Sequence, residues 1–153
     1  MKNRLLSCAL SLFLTTSGAS VALAAEHQVL MLDANDTGEM VFEPNLIRVA
    51  VGDTVKFIPT DWGHNAESVK GLSPAGSKPF YGKLNEEVTV TLLKEGVHVI
   101  QCNPHSLMGM VAVIVAGSAT NLVEIKAQSA IINAKFRIKR ERLDGIFARI
   151  SSE

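Results

Sequence analysis

Hydrophobic and polar residues alternate along much of the chain between about residues 27 and 116. The clearest case is the segment 87–92, in which Val88, Val90 and Leu92 alternate with a glutamate and two threonines. A period of two is typical of a β-strand with one buried face. Together with shorter apolar runs, the pattern predicts strands over residues 27–33, 46–51, 54–58, 88–92, 97–102 and 110–115.

Glycine and proline mark the ends of these segments. Gly52-Asp53 and Glu95-Gly96 predict turns, and Pro59 ends the third strand. Residues 71–82 contain three glycines and two prolines, which indicates a long loop. Several short strands separated in this way predict a mainly β fold, and we expect a Greek-key β-sandwich.

The pattern becomes helical after residue 117. Residues 121–127 predict a short helix and residues 130–150 a longer one, since Leu143, Ile146, Phe147 and Ile150 have the spacing of one helix face. We therefore expect two C-terminal helices, from about residue 121. The tail 127–153 has a local charge of +3 and residues 25–126 have −5, which indicates attraction between the two parts.

The first 24 residues have the organisation of a secretory signal peptide. A short positive start precedes an apolar run over residues 5–14, and small residues ending in Ala22-Leu23-Ala24 follow. The apolar run is too short for a membrane anchor. We expect cleavage after Ala24, with Ala25 as the alternative, to leave one exported domain over residues 25–153.

The composition narrows the class of protein. The chain has 153 residues, 20% of them charged and 47% hydrophobic, which is typical of a globular protein. Its formal charge is zero, or −2 after cleavage, and this argues against a nucleic-acid binder held by phosphate contacts. Cleavage would also remove Cys8 and leave Cys102 as a lone thiol, which cannot form an internal disulfide and needs another explanation.

The segment 102–110 contains the most specific chemistry. Cys102 is followed by His105 and then by Met110, between two predicted strands. A tight loop there would bring a thiol, an imidazole and a thioether to one point. With a second histidine they form the ligand set of blue copper, in which two His and one Cys lie in a plane below a distant axial Met. His64 is the candidate for the second histidine, and Met108 competes with Met110.

Other interpretations of Cys102 stay open at this point. A free cysteine is most often a small buried hydrophobe, and Cys102 with His105 could also be a nucleophile and its base. Zinc is a weaker candidate, because the usual four Cys or His ligands are missing. A rigid copper site of intermediate geometry would favour fast one-electron transfer and leave no open position for a substrate.

Several motifs together resemble the pseudoazurins, a family of periplasmic cupredoxins. They are Met40-Val41-Phe42-Glu43-Pro44, Gly52-Asp53-Thr54-Val55, Gly63-His64-Asn65 with Glu67-Ser68, and Cys102-Asn103-Pro104-His105 through Met108-Gly109-Met110. The resemblance implies a cupredoxin fold and one type 1 copper held by His64, Cys102, His105 and Met110, and it selects Met110 over Met108. It also implies single-electron transfer in the periplasm to respiratory reductases, above all copper nitrite reductase in denitrification.

The resemblance further implies roles for residues around the metal. We expect Asn65 to tie the ligand loops together and to donate its backbone N–H to the Cys102 sulfur. Pro104 removes one backbone donor near that sulfur, and Met40 is expected to pack near the ring of His105. His105, on a loop near the surface, is the expected electron port.

The chain departs from the family pattern around His105, where lysines usually steer the protein towards acidic partners. Trp62 and Gln101 stand at two positions where lysine is usual, whereas three lysines remain as rim charges: Lys70, Lys78 and Lys83. Residues 107–109 are apolar and are expected to form a small contact patch. We therefore expect association with a partner to depend only weakly on ionic strength.

The two remaining histidines are less informative. His98 lies in a predicted strand, where we expect a structural role. After cleavage at Ala24, His27 would be the third residue, where an amine, two amide nitrogens and an imidazole could form a second, square-planar copper(II) site.

Proteins of other classes would behave differently. A copper storage or delivery protein on the same fold would need an accessible, exchangeable site, and an enzyme with a cysteine nucleophile would not be coloured. We expect an electron carrier and not an enzyme, monomeric, with neither nucleic-acid nor membrane partners.

Overall fold

The computed structural model describes residues 23–151. They form two four-stranded β-sheets, with two α-helices packed on one of the sheets. The strands are β1 (Glu26–Asn35), β2 (Gly38–Glu43), β3 (Leu46–Val49), β4 (Thr54–Pro59), β5 (Glu67–Ser68), β6 (Val88–Thr91), β7 (Gly96–Gln101) and β8 (Val111–Ala116), and the helices are α1 (Leu122–Asn133) and α2 (Arg142–Ser151).

The chain passes repeatedly between the two sheets. The first sheet has the strand order β2-β1-β4-β6, and the second has the order β3-β8-β7-β5. β1 pairs in parallel with β4, and β3 pairs in parallel with β8. Parallel neighbours cannot be joined by a hairpin, so these connections cross to the other sheet. The prediction of a mainly β sandwich with two C-terminal helices is confirmed.

The buried apolar residues form two layers. One layer includes Phe42, Phe57 and Ile114 and also contains Cys102 and Met110. The other joins β7 and β8 to the helices, and its helical part consists of Ile125, Phe136, Leu143, Ile146, Phe147 and Ile150. Because β8 contributes to both layers, all six of its residues are buried, which accounts for its uninterrupted apolar sequence.

Some predicted boundaries were wrong. β2 was not predicted, since it contains the irregular residues Gly38 and Met40 at positive φ, and β5 has only two residues. The second helix begins at Arg142 and not near residue 130, and α1 extends to Asn133. Residues 134–141 contain neither Gly nor Pro, so the sequence carries no clear signal for this break.

The predicted signal peptide lies almost wholly outside the described residues. Within residues 23–151, none of the helices combines the length and the hydropathy required to cross a bilayer.

A single carboxylate holds the start of β1. Asp53 accepts the backbone N–H groups of Ala25 at 2.9 Å and Ala50 at 3.0 Å, and its Oδ2 lies 2.8 Å from Nε2 of His27. The hydrogen bond with His27, followed by those from Ala25 and Ala50, lowers the pKa of the Asp53 carboxyl. Asp53 therefore joins the first strand to the turn before β4.

We predict that Phe147→Ala destabilises the protein by about 3–5 kcal/mol, because Phe147 is buried between α2 and the second sheet and its removal leaves a cavity. Val123→Ala on the exposed side of α1 is the control and should change the free energy of unfolding by less than about 0.5 kcal/mol. Chemical denaturation measures both. A loss below about 1 kcal/mol for Phe147→Ala would show that the helical layer contributes little to stability.

We predict that Asp53→Asn weakens the acid dependence of stability. The pKa of Asp53 is lower in the folded than in the unfolded chain. Its contribution to the free energy of unfolding is therefore complete above the ordinary carboxyl pKa of about 3.9 and is lost as the pH falls through the pKa of the folded state. The variant should have a lower Tm at pH 7 and a smaller loss of Tm between about pH 5 and pH 2.

Thermal unfolding of the metal-free protein across this pH range measures the effect. Glu43→Gln, which changes an exposed carboxylate on β2, is the control. The same fall of Tm in wild type and Asp53→Asn would contradict the assigned role.

Candidate metal centre

Three of the predicted ligand side chains converge on one point. Nδ1 of His64 lies 3.1 Å from Nδ1 of His105 and 3.8 Å from Sγ of Cys102, and Nδ1 of His105 lies 3.6 Å from the same sulfur. Their ligand atoms all lie within 4.8 Å of one another, which marks a possible metal-binding cluster. His64 and Cys102 are fully buried, whereas His105 is partly exposed.

The three separations fit one soft metal ion. Bonds of ~2.0 Å to nitrogen and ~2.3 Å to sulfur, at angles of ~120°, place ligand atoms ~3.5–3.7 Å apart. The observed distances of 3.1, 3.6 and 3.8 Å scatter around these values. Two imidazoles and a thiolate with a nearby thioether are the donor set of a type 1 copper site, so the residues present fit copper.

A carboxylate orients the buried imidazole. Oδ1 of Asp33 lies 3.0 Å from Nε2 of His64. Because an ionised carboxylate only accepts hydrogen bonds, Nε2 carries the proton and Nδ1 is left with a free lone pair that faces Cys102 and His105. Such a carboxylate partner also fixes the ring orientation of an imidazole ligand. The sequence reasoning missed Asp33, because nothing in its local pattern indicates a contact with a residue 31 positions away.

The environment of the sulfur is mostly apolar, with two donors. Burial raises the pKa of the Cys102 thiol, whereas hydrogen bonds from the backbone N–H groups of Asn65 and His105 lower it. The backbone N–H of Asn103 is directed elsewhere, to Oδ1 of Asn65 at 2.8 Å. Pro104 lies between Asn103 and His105 and has no N–H to offer. The sulfur therefore accepts from backbone N–H groups of both ligand loops.

Asn65 connects three parts of the site. Its Oδ1 accepts from Asn103, its Nδ2 donates to the carbonyl of Gly82 at 2.9 Å, and its backbone N–H reaches the Cys102 sulfur. The loop that carries His64 is thus joined to the loop that carries Cys102 and His105. The same contacts fix the position of the sulfur relative to both histidines.

The loop 102–110 is closed by its own backbone. The N–H of Cys102 donates to the carbonyl of Met110 at 3.0 Å, and the N–H of Met110 donates to the carbonyl of His105 at 3.3 Å. Met110 is fully buried in the same apolar layer as Cys102, whereas Met108 is only half-buried at the end of a short 3₁₀ turn. Burial with the sulfur favours Met110 as the thioether donor.

Met40 packs against the layer that contains Cys102 and Met110. Its backbone has φ = 49°, in the left-handed region that non-glycine residues seldom adopt. A strained backbone of this kind persists only where surrounding contacts hold it.

The two loops that meet at His105 carry exposed apolar side chains. Trp62 is 83% exposed and Leu107 is 52% exposed, and a Cβ at Gly63 would lie 3.7 Å from Cε1 of His105. Burial, and then the nearby His64, lower the pKa of His105, which favours the neutral imidazole that a metal requires. The expectation that residues 107–109 form the contact patch was wrong for Gly109, which is buried.

The three lysines expected around this surface lie in different surroundings. Lys83 lies 3.5 Å from Glu86, and Gln101 donates to Glu67 at 2.9 Å. A cleft of about 590 Å³ lies between α1 and the ligand loop, and Lys70 and Lys135 line it together with Leu107. Lys78 lines a separate small cavity with His98.

The other two histidines have structural contacts. His98 is buried in β7, and its Nε2 lies 2.9 Å from the carbonyl of Lys94. His27 contacts Asp53 and lies in β1, opposite Val55 in the parallel ladder with β4. Wrapping residues 25–27 around a copper ion would break this ladder, so the structure weighs against the second copper site.

Comparisons with known proteins agree with this geometry. The sequence profile of copper binding proteins of the plastocyanin/azurin family matches residues 29–117. Pseudoazurin from Methylorubrum extorquens is 40% identical over 147 residues, which cover 96% of this chain and 97% of that protein. Pseudoazurin from Paracoccus pantotrophus is 38% identical over 133 residues, which cover 87% of this chain and 89% of that protein. The structure of a pseudoazurin from Sinorhizobium meliloti has 42% identity and a TM-score of 0.73, covering 84% of this chain and 98% of that one.

We predict that Asp33→Asn lowers the affinity for copper about 10- to 100-fold while the coloured site persists. The amide oxygen can still accept from His64, but the negative charge beside the imidazole ligand is lost. Competition with a chelator measures the affinity, and Asp36→Asn in the β1–β2 turn is the control. Equal affinities of Asp33→Asn and wild type would rule out this role.

Proposed function

Because this chain belongs to the pseudoazurins, within the plastocyanin/azurin family of copper-binding proteins, we propose that it carries single electrons to respiratory reductases in the periplasm. The chain is a cupredoxin electron carrier and not an enzyme. We propose copper nitrite reductase as the acceptor and assign His64, Cys102, His105 and Met110 as the ligands of one copper ion.

The observation that supports the proposal is that His64, Cys102 and His105 converge on one point, and that hydrogen bonds join the two loops that carry them. A bound copper ion supplies a one-electron redox couple. The chain supplies a fixed donor set, because Asp33 orients one imidazole and Asn65 joins the two ligand loops. Side chains held in this way need little rearrangement when the charge of the site changes.

His105 is the proposed electron port. It is the candidate ligand that remains partly exposed. The exposed Leu107 lies in the same loop, and the exposed Trp62 precedes Gly63, where a Cβ would lie 3.7 Å from the His105 ring. Small, apolar contact areas suit complexes that form and separate rapidly. A partner that docks there would approach the ligand ring without an intervening layer of protein.

Removal of the signal peptide during export would define the N-terminus of the mature domain. If cleavage follows Ala24, the backbone nitrogen of Ala25 becomes an α-ammonium group 2.9 Å from a carboxylate oxygen of Asp53. We propose that residues 1–24 are the signal peptide and residues 25–153 the mature, monomeric protein. The hydrogen bond of Ala25 with Asp53 then becomes an ion pair.

Two other functions agree less well with the geometry. Storage or delivery of copper needs exchangeable ligands, but Cys102 and His64 are fully buried. A nucleophilic cysteine needs an accessible thiolate, and burial raises the pKa of this thiol. Rapid removal of copper by a chelator, at a rate near that of exposed sites, would favour storage or delivery over electron transfer.

Substitutions of the sulfur ligands test the ligand assignment. Cys102→Ser should abolish the sulfur-to-copper charge-transfer band, because no other thiol is present after residue 24. Met110→Leu should keep a coloured site with a changed reduction potential, since the axial ligand is weak and tunes the potential. Met108→Leu is the matched control. A larger spectral change in Met108→Leu than in Met110→Leu would contradict the axial assignment.

The surface around His105 leads to a prediction on partner association. We expect the rate of electron transfer to a periplasmic copper nitrite reductase to fall only weakly with salt, because Trp62 and Gln101 add no steering charge. Trp62→Lys should steepen the salt dependence, and Val123→Lys on the exposed side of α1 is the control. Stopped-flow measurements at low and high ionic strength would refute this view if the wild-type rate fell steeply and Trp62→Lys changed nothing.

A further inference from the structure

Arg142, the first residue of α2, joins the helical tail to strand β2 and to the ligand loop 102–110. Its half-buried guanidinium donates from Nη1 to the carbonyl of Met40 at 2.6 Å and to the carbonyl of Gly109 at 2.9 Å. From Nη2 it donates to the carbonyl of Glu39 at 2.8 Å. The planar fork of arginine can reach several acceptors in a fixed geometry, which an ammonium group cannot do in the same way.

The contact with Gly109 acts on the peptide unit that carries Met110. The carbonyl of Gly109 and the N–H of Met110 belong to one planar peptide. Arg142 holds the carbonyl, and the carbonyl of His105 accepts the N–H at 3.3 Å. The orientation of this peptide sets the direction in which the Met110 side chain leaves the backbone.

The neighbouring segment between α1 and α2 packs on the same loop. The backbone N–H of Arg137 donates to the carbonyl of Leu107 at 2.7 Å. A Cβ at Gly109 would lie 3.0 Å from the carbonyl oxygen of Lys139, and Gly109 has φ = 72°, so a glycine is needed there. The tail therefore contacts the ligand loop at the Leu107 carbonyl and at Gly109, while the Leu107 side chain stays exposed.

We propose that Arg142 is a positioning residue for the thioether of Met110, acting through the Gly109 carbonyl. The inference rests on the proposed copper site and deepens it, because it assigns the C-terminal helices a role in setting the axial side of the metal. The same guanidinium holds the strained backbone of Met40, so one side chain fixes two neighbours of the ligand set.

Arg142→Met and Arg142→Lys test the proposal, with Arg149→Met as the matched control on the same helix. Arg149 donates to Oδ1 of Asn45, which precedes β3, so its loss perturbs the attachment of α2 at a different point of the sandwich. The measurements are the reduction potential, the ratio of the sulfur-to-copper absorption bands, and amide hydrogen exchange of Met110 in the metal-free protein.

A loosened thioether stabilises copper(II) less, so Arg142→Met should raise the reduction potential and change the band ratio. Loss of a positive charge alone would lower the potential, so the sign separates positioning from a simple charge effect. The Met110 amide should exchange about 10-fold faster in Arg142→Met. Arg142→Lys keeps the positive charge and provides a second test if Arg142→Met does not fold. It should also raise the reduction potential, but by less than Arg142→Met does.

Unchanged spectra and potentials in both Arg142 variants would overturn the inference, as would a lowered potential with an unchanged band ratio. Equal spectral changes in Arg149→Met would also overturn it, because the effect would then come from general loosening of α2. A wild-type protein without the charge-transfer band would remove the proposed function itself, a failure that is visible before any variant is made.

Discussion

Two imidazole nitrogens and a thiol sulfur face one another at 3.1–3.8 Å in the interior of the protein. Lone pairs this close repel one another unless a proton or a metal ion lies between them, and burial makes an unpaired polar group expensive. The arrangement persists because the surrounding backbone is held by its own hydrogen bonds. Many of the contacts around the site keep the three atoms at these separations. A soft metal ion bound to all three would remove the unfavourable contacts between them.

Residues from distant parts of the chain hold the ligand side chains and loops in place. Asp33 reaches His64 from the end of β1, Asn65 joins the two ligand loops, and Arg142 reaches the loop from the helical tail. The buried layers make these groups rigid, because β8 packs both against the first sheet and against the helices. A donor set fixed from three sides is suited to electron transfer, in which the ligands should move little between oxidation states.

The sequence predicted the fold class and the cluster of candidate ligands, because alternation in strands and the spacing of Cys102, His105 and Met110 are local properties. It placed the break between the two helices too early, because neither composition nor periodicity changes clearly over residues 134–141. Asp33 and Arg142 were missed for a different reason. Each acts across 31 or more residues, and such contacts depend on strand register and helix docking, which local patterns do not encode.

The most direct measurement is an absorption titration of the wild-type protein with copper(II), followed by reduction and reoxidation. A preorganised site predicts an intense sulfur-to-copper band that saturates at one copper per chain, disappears on reduction and returns fully on oxidation. A colourless complex, or a band that does not return after one cycle, would contradict the account of His64, Cys102 and His105 as a fixed site for single-electron transfer.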